Sequence, residues 1–152
     1  GRPVFALAVG KAAPEMIAGL PGQVSAGLCI SHHVPAEMLP GVRYHVGGHP
    51  VPNAESLLAG ALALDFCARV PADAVFLGLL SGGASALMEQ LHASVSVEEF
   101  RRETHRRLKS GASIAELNAY RKTVSSVKAG GLARALRHVK RARILVISDV
   151  AG

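Results

Sequence analysis

Short runs of continuous aliphatic residues alternate along this chain with segments that have helical patterning. Uninterrupted Val, Ile and Leu runs are typical of parallel strands that are covered on both faces. The predicted strands are residues 4–9, 26–31, 42–46, 74–80 and 143–148, and the predicted helices are 12–20, 54–70, 96–109, 113–124 and 132–137. This order predicts a doubly wound, Rossmann-like α/β domain, with a mostly parallel sheet and helices on both of its faces.

Capping residues mark three of the helix starts. Asn53 can cap the helix that follows the Gly- and Pro-rich stretch 47–53. Ser96 stands three residues before Glu99, and Ser113 stands three residues before Glu116, so both pairs predict capping boxes.

The composition is that of a globular chain. Of the 152 residues, 49% are hydrophobic and 18% are charged, which excludes intrinsic disorder, and no apolar run is long enough to span a bilayer. We therefore expect a soluble, cytoplasmic protein without a membrane partner. Cys29 and Cys67 lie in apolar segments without CxxC or Cys/His spacing, so buried free thiols are expected rather than a disulfide or a zinc site.

The positive charge is concentrated in the second half of the chain. Of 17 Lys and Arg residues, 13 lie between Arg101 and Arg143, where Glu103 and Glu116 are the acids. Nucleic acid is one partner that would explain this, but the chain has no Trp, two Tyr and four Phe, which leaves few platforms for base stacking. A solvated helix face, or a surface that meets phosphates or another domain, is the preferred interpretation.

The predicted strand 74–80 runs directly into the sequence Ser-Gly-Gly-Ala-Ser, residues 81–85, which we call the glycine loop. Gly82 and Gly83 allow positive φ and close approach of a ligand, and a helix start after them would present free N–H groups to a phosphate. Ser81 and Ser85 offer hydroxyl donors, and Ala84 completes the loop. A tight turn without a ligand, capped by Ser85, is the alternative.

Two further polar turns follow predicted strands. Lys11 comes after the first strand and Asp149 after the last, and the carboxyl ends of parallel strands meet at one edge of a sheet. A cation, backbone N–H groups and a carboxylate for Mg²⁺ are the set that phosphoryl transfer requires. The turns match neither a Walker A motif nor the dinucleotide pattern GxGxxG. For Lys11 alone, a solvated surface lysine is an equal alternative.

Other polar residues are weaker candidates. The histidines lack the spacing of a metal site, and His49 is retained as a loop candidate because it lies in the stretch 47–53. Asn118 and Arg121 share one helix face, and Lys128 follows in a glycine-containing turn. They form either a wet helix face or a cluster that faces substrate or phosphate.

Five segments, in order, resemble the bacterial and archaeal type of glycerate 2-kinase. They are GKAAPEM, HPVPNAES, LLSGGASAL, SGASIAELNAYRK with SSVKAGGLA, and ISDVAG. The resemblance implies ATP- and Mg²⁺-dependent phosphorylation of the 2-hydroxyl of D-glycerate in a cleft between two domains. By position it assigns Lys11 as the catalytic lysine, the glycine loop to the nucleotide phosphates, and the Ser148-Asp149 turn to the active-site edge. Lys128 is retained beside them as a candidate for phosphate binding.

Members of that family are much longer than 152 residues. The resemblance therefore implies that the chain is part of an N-terminal α/β domain, that a second domain supplies a further catalytic arginine, and that a homodimer is a candidate assembly. The chain alone is expected to be inactive. Two other functions stay open: a non-catalytic α/β remnant that binds anions, and a basic nucleic-acid-binding module.

Overall fold

The computed structural model describes residues 1–22 and 24–148. Within them, five strands form one parallel sheet in the order β3-β2-β1-β4-β5. The strands are β1 (Val4–Val9), β2 (Ala26–Ser31), β3 (Val42–Val46), β4 (Val75–Leu80) and β5 (Arg141–Val146). The helices are α1 (Ala13–Ala18), α2 (Ala54–Arg69), α3 (Ala84–Leu87), α4 (Val97–Lys109), α5 (Ile114–Val124) and α6 (Gly131–Ala135).

Both faces of the sheet are covered, which confirms the predicted fold class. Along β1 the side chains alternate between two cores, because successive residues of a strand point to opposite faces. Leu7 and Val9 pack with the α2 side of the sheet, whose core includes Ala63 and Cys67. Ala6 and Ala8 pack on the other side with α1. The small residues of α2 allow that helix to lie close to the sheet.

The capping predictions agree with the structure at two of three helices. Asn53 accepts a hydrogen bond from the Ser56 N–H, at 3.0 Å, and forms a reciprocal capping box. Ser113 and Glu116 form the predicted box at α5. At α4, Ser96 accepts from the Glu99 N–H, at 3.1 Å, as half of the box.

Both cysteines are buried and free, as predicted. Burial raises the pKa of each thiol, Cys29 and Cys67, to about 12, so neither is a reactive thiolate at neutral pH. Within the described residues, no helix combines the length and the apolar character that crossing a membrane would require.

The expectation of a buried last strand is wrong. The sequence predicts a buried strand over residues 143–148. In the structure, β5 runs from Arg141 to Val146, lies at the edge of the sheet and is exposed at every position. Ile144 is 53% and Val146 is 65% exposed. Its apolar pattern is that of a covered strand. No described element covers β5, and a groove of about 360 Å³ remains open beside it, lined by β4, β5 and α6.

The helix expected after the glycine loop is also shorter than the pattern suggested. It is the single turn α3, and its N-cap is Gly83 rather than Ser85, which lies inside the turn. Met88 then leaves the helix in an extended conformation, so the chain can run across to α5.

Candidate functional site

The loops that follow β1 and β4 are hydrogen-bonded directly to each other at the carboxyl edge of the sheet. The Lys11 N–H donates to the Gly82 carbonyl, at 2.8 Å, and the Ala12 N–H donates to Ser81 Oγ, at 3.0 Å. Ser81 is 8% exposed. Its hydroxyl oxygen therefore already joins the two loops.

Gly10 makes this close approach possible. Its φ is +133°, and a Cβ built there would lie 2.1 Å from Ser81 Oγ. No side chain fits, so the first loop must carry glycine for the two loops to touch. This constraint places Lys11 beside the glycine loop.

Gly83 lies where three predicted site residues meet. Of the two loop glycines it is the one with positive φ, at +85°. A Cβ on it would lie 2.8 Å from His49 Cδ2 and 3.3 Å from Lys11 Cγ. The structure thus brings Lys11, His49 and the glycine loop together, at the edge where a sheet of this type binds ligands.

The loop that carries His49 is held in place by hydrogen bonds that its backbone N–H groups donate. The Gly47 N–H donates to the Ser31 carbonyl, at 3.0 Å, and the Gly48 N–H donates to Ser56 Oγ, at 2.9 Å. Ser56 belongs to the capping box of α2. His49 itself is exposed, so its ring faces solvent beside Gly83.

Lys128 contacts the other end of the glycine loop. Its Nζ donates to the Ser85 carbonyl, at 3.2 Å, and forms an ion pair with Glu89. Burial lowers the pKa of Lys128, although Glu89 acts in the opposite direction, and Arg121 adds repulsion. Lys128 is thus a partly buried cation held against the loop by one carboxylate.

The α5 candidates separate in the structure. Arg121 is close enough to Lys128 to act on its charge, and the Arg121 Nε is buried without a hydrogen-bond partner among the described residues. Asn118 is exposed and, within residues 1–22 and 24–148, its side chain makes no hydrogen bond. The structure therefore places the charge of Arg121 within reach of Lys128.

Asp149 lies outside the described residues, so its predicted role has no structural counterpart here. The last described residues lie beside the end of β4, where the Ile147 N–H donates to the Leu80 carbonyl, at 2.9 Å. Ser148 follows immediately. In the described part of the chain, no group of three His, Cys, Asp or Glu side chains is placed to hold a metal ion.

Sequence reasoning missed Glu89 and Ser125. Glu89 is fully buried, and its carboxylate accepts a hydrogen bond from the Ser125 hydroxyl. A signal was present, because Glu89 stands between apolar Met88 and, two residues on, Leu91, where an unpaired carboxylate would be costly.

The basic half of the chain includes a solvated helix face. On α4, Arg101, Arg102 and Lys109 are exposed, and Glu103 pairs with Arg106 and Arg107. The hydrogen bond from Arg106, with the charges of both arginines, lowers the pKa of Glu103 to about 2.

We therefore expect weak, nonspecific binding to DNA or RNA that is lost at moderate salt, because such contacts are limited to exposed cations and phosphates. Fluorescence anisotropy with short oligonucleotides measures this. Tight binding that discriminates between sequences at physiological salt would instead favour the nucleic-acid module.

Comparison with known proteins gives a consistent result. Residues 1–152 match the family described as a domain of unknown function, DUF4147. A glycerate 2-kinase of Pyrococcus horikoshii is 35% identical over 98% of this chain and 34% of its own length. A D-glycerate 2-kinase of Thermotoga maritima is 35% identical over 98% of this chain and 37% of its own length.

A solved structure agrees with the sequence relationship. A crystal structure of a protein from Pyrococcus horikoshii superimposes with a TM-score of 0.85 at 36% identity, covering 97% of this chain and 34% of that chain. The chain spans about a third of the length of these relatives. Because this family matches the whole of residues 1–152, the chain belongs to the DUF4147 family, and its relatives at 35% identity include proteins named glycerate 2-kinase.

Proposed function

We propose that the protein containing this chain transfers the γ-phosphoryl group of ATP to the 2-hydroxyl of D-glycerate. The observation that carries this proposal is the meeting of Lys11, His49 and Gly83 at the carboxyl edge of the sheet. The relatives named as glycerate 2-kinases support the substrate and the reaction class. Cytoplasmic location and a homodimer remain predictions from the sequence.

In the proposed reaction, the 2-hydroxyl oxygen of glycerate forms a bond to the γ-phosphorus, and the bond from that phosphorus to the β–γ bridging oxygen breaks. The hydroxyl proton passes to solvent and ADP leaves. Such a transfer is accelerated mainly by positioning and by neutralising the charge on the phosphoryl oxygens. We assign charge neutralisation to Lys11 and phosphate contact to the backbone N–H groups of the glycine loop.

Each group has a defined place in this scheme. Gly83 allows the His49 ring and the Lys11 side chain to lie against the glycine loop, because a Cβ there would come within 2.8 Å of His49 and 3.3 Å of Lys11. Lys128 closes the Ser85 end of the loop. Arg121, with its buried Nε unpartnered among the described residues, is the candidate to meet a carboxylate or phosphate oxygen.

Mg²⁺ is usually held by one or two carboxylates together with substrate phosphates. The residues at this edge would therefore hold the ion only if a carboxylate from the segment after β5 joins them. We retain Asp149 as that proposed ligand. When bound, the ion would neutralise the phosphate oxygens of ATP.

We also propose that further polypeptide completes the cleft and covers β5. The chain spans about a third of its relatives, and both faces of β5 expose apolar residues. An arginine from a second domain would be the missing charge at the phosphoryl group. Charge stabilisation of that kind is worth roughly three to five orders of magnitude in rate.

Residues 1–152 alone are therefore expected to show no glycerate-dependent release of ADP, whereas the full-length protein should show it. A coupled ADP-release assay on both proteins, at matched concentration, measures this. The truncation argument is wrong if purified residues 1–152 turn over glycerate and Lys11→Ala abolishes that turnover. The substrate assignment is wrong if the full-length protein leaves glycerate unphosphorylated.

A further inference from the structure

We propose that Glu89 is a positioning residue, which holds Lys128 against the Ser85 end of the glycine loop. This inference rests on the proposed function of that loop. Glu89 does not face the site edge itself, so it would act through Lys128 and not on a substrate.

Both oxygens of the Glu89 carboxylate accept hydrogen bonds. One oxygen accepts from the Gln90 N–H, at 3.0 Å, and from the Ser125 hydroxyl, and the other pairs with Lys128 Nζ. Glu89 is 0% exposed and the Lys128 side chain is 16% exposed. A buried pair with this many hydrogen bonds is one in which loss of either partner is costly.

Ser125 extends the network to the chain around Lys128. Its hydroxyl oxygen accepts from the Lys128 N–H, at 3.1 Å, and from the Val127 N–H, at 3.3 Å. The Ser126 N–H donates to the Gln90 carbonyl, at 2.6 Å. Side chain and backbone of residues 125–128 are therefore both fixed to residues 89–90.

The backbone of Glu89 is fixed to α2 as well. Its N–H donates to the Ser56 carbonyl, at 2.9 Å, and a Cβ on Gly60 would lie 2.1 Å from the Glu89 carbonyl oxygen. The Ser56 hydroxyl also accepts a hydrogen bond from the N–H of Gly48, the residue before His49. Glu89 thus connects α2, the glycine loop and the turn after α5.

The ammonium of Lys128 has three donors. One reaches Glu89 and one reaches the Ser85 carbonyl, which leaves one to meet a phosphate oxygen at the loop. Glu89 is needed for this because it keeps a buried ammonium charged and pointed in one direction. The charged groups that face Lys128 in the described structure are Glu89, which follows α3, and Arg121 on α5.

Replacing Glu89 by glutamine removes the negative charge that raises the pKa of Lys128 and leaves burial and Arg121, which lower it. The protonated fraction of Lys128 should then fall as the pH rises. In the full-length Glu89→Gln variant, we expect kcat/KM for ATP to fall relative to the unmodified protein, and the loss to be larger at pH 9 than at pH 6.5. Glu89→Asp, which keeps the charge, should retain the original profile.

Two matched variants make the test specific. Exposed Glu37→Gln should leave kcat/KM unchanged at each pH. Lys128→Met has no titrating group at this position, so its loss should be the same at every pH. Hydrogen exchange of the α3 amides, measured without glycerate, should be faster in Glu89→Gln and Lys128→Met than in Glu37→Gln.

These outcomes separate the two proposals. If the unmodified protein fails to phosphorylate glycerate, the proposed function fails, and the exchange comparison still tests Glu89. A loss in Glu89→Gln that is equal at all pH values, or unchanged α3 exchange, overturns the positioning role. Should Glu89→Gln not fold, unchanged α3 exchange in Lys128→Met overturns it equally, and faster exchange supports it.

Discussion

Gly83→Val in the full-length protein is expected to lower ATP-dependent turnover by at least about tenfold, a barrier increase of roughly 1.4 kcal/mol. Gly83 has a φ of +85°, which a β-branched residue rarely adopts, and its Cβ would come within 2.8 Å of the His49 ring and 3.3 Å of Lys11. The added side chain would displace both and occupy the proposed phosphate position. Steady-state kinetics at varied ATP, with thermal melts alongside, measures the effect.

Gly111→Val is the matched control for backbone strain. Gly111 has a φ of +78°, and a Cβ there meets no described atom within 4 Å. Both valines face the same left-handed penalty, roughly 1–2 kcal/mol. Both should therefore lower the melting temperature, but only Gly83→Val should reduce turnover of the folded enzyme. Parental kinetics in Gly83→Val would mean that the glycine loop does not contact the nucleotide.

Lys11→Ala is expected to lower turnover by about 100-fold or more, because removing one group that stabilises transition-state charge typically costs that much. Its effect on the melting temperature should be small. The Lys11 side chain is exposed, and the hydrogen bond from its backbone N–H to Gly82 survives the substitution. Turnover and thermal melts of the full-length variant test both parts.

Lys109→Ala provides the comparison for general loss of charge. Lys109 is exposed in the last turn of α4, on the solvated face. It should retain the turnover of the unmodified protein. If Lys11→Ala also retains it, the catalytic role of Lys11 must be abandoned, and if Lys11→Ala unfolds the protein, that role is structural instead.

The succession of strands, helix caps and the glycine loop along the chain can be predicted from local sequence patterns. Continuous aliphatic runs, caps such as Ser113 with Glu116, and a glycine pair after a strand are recognised within a few residues, because each depends on backbone preference or on the period of one element. The family was accessible for the same reason, since five short segments in order carry it. Those features predicted the parallel α/β sheet and the position of Lys11 and the glycine loop at the same edge of it.

The position of β5 at the edge of the sheet cannot be predicted from local sequence patterns. The β5 residues Ile144 and Val146 carry the pattern of a covered strand, yet they are exposed, because burial depends on which elements pack over a strand and not on the strand itself. The pairing of Glu89 with Lys128 across 39 residues is of the same kind. No local period encodes this pairing. The fold brings the two segments together and buries a carboxylate that the Lys128 ammonium, the Ser125 hydroxyl and the Gln90 N–H satisfy.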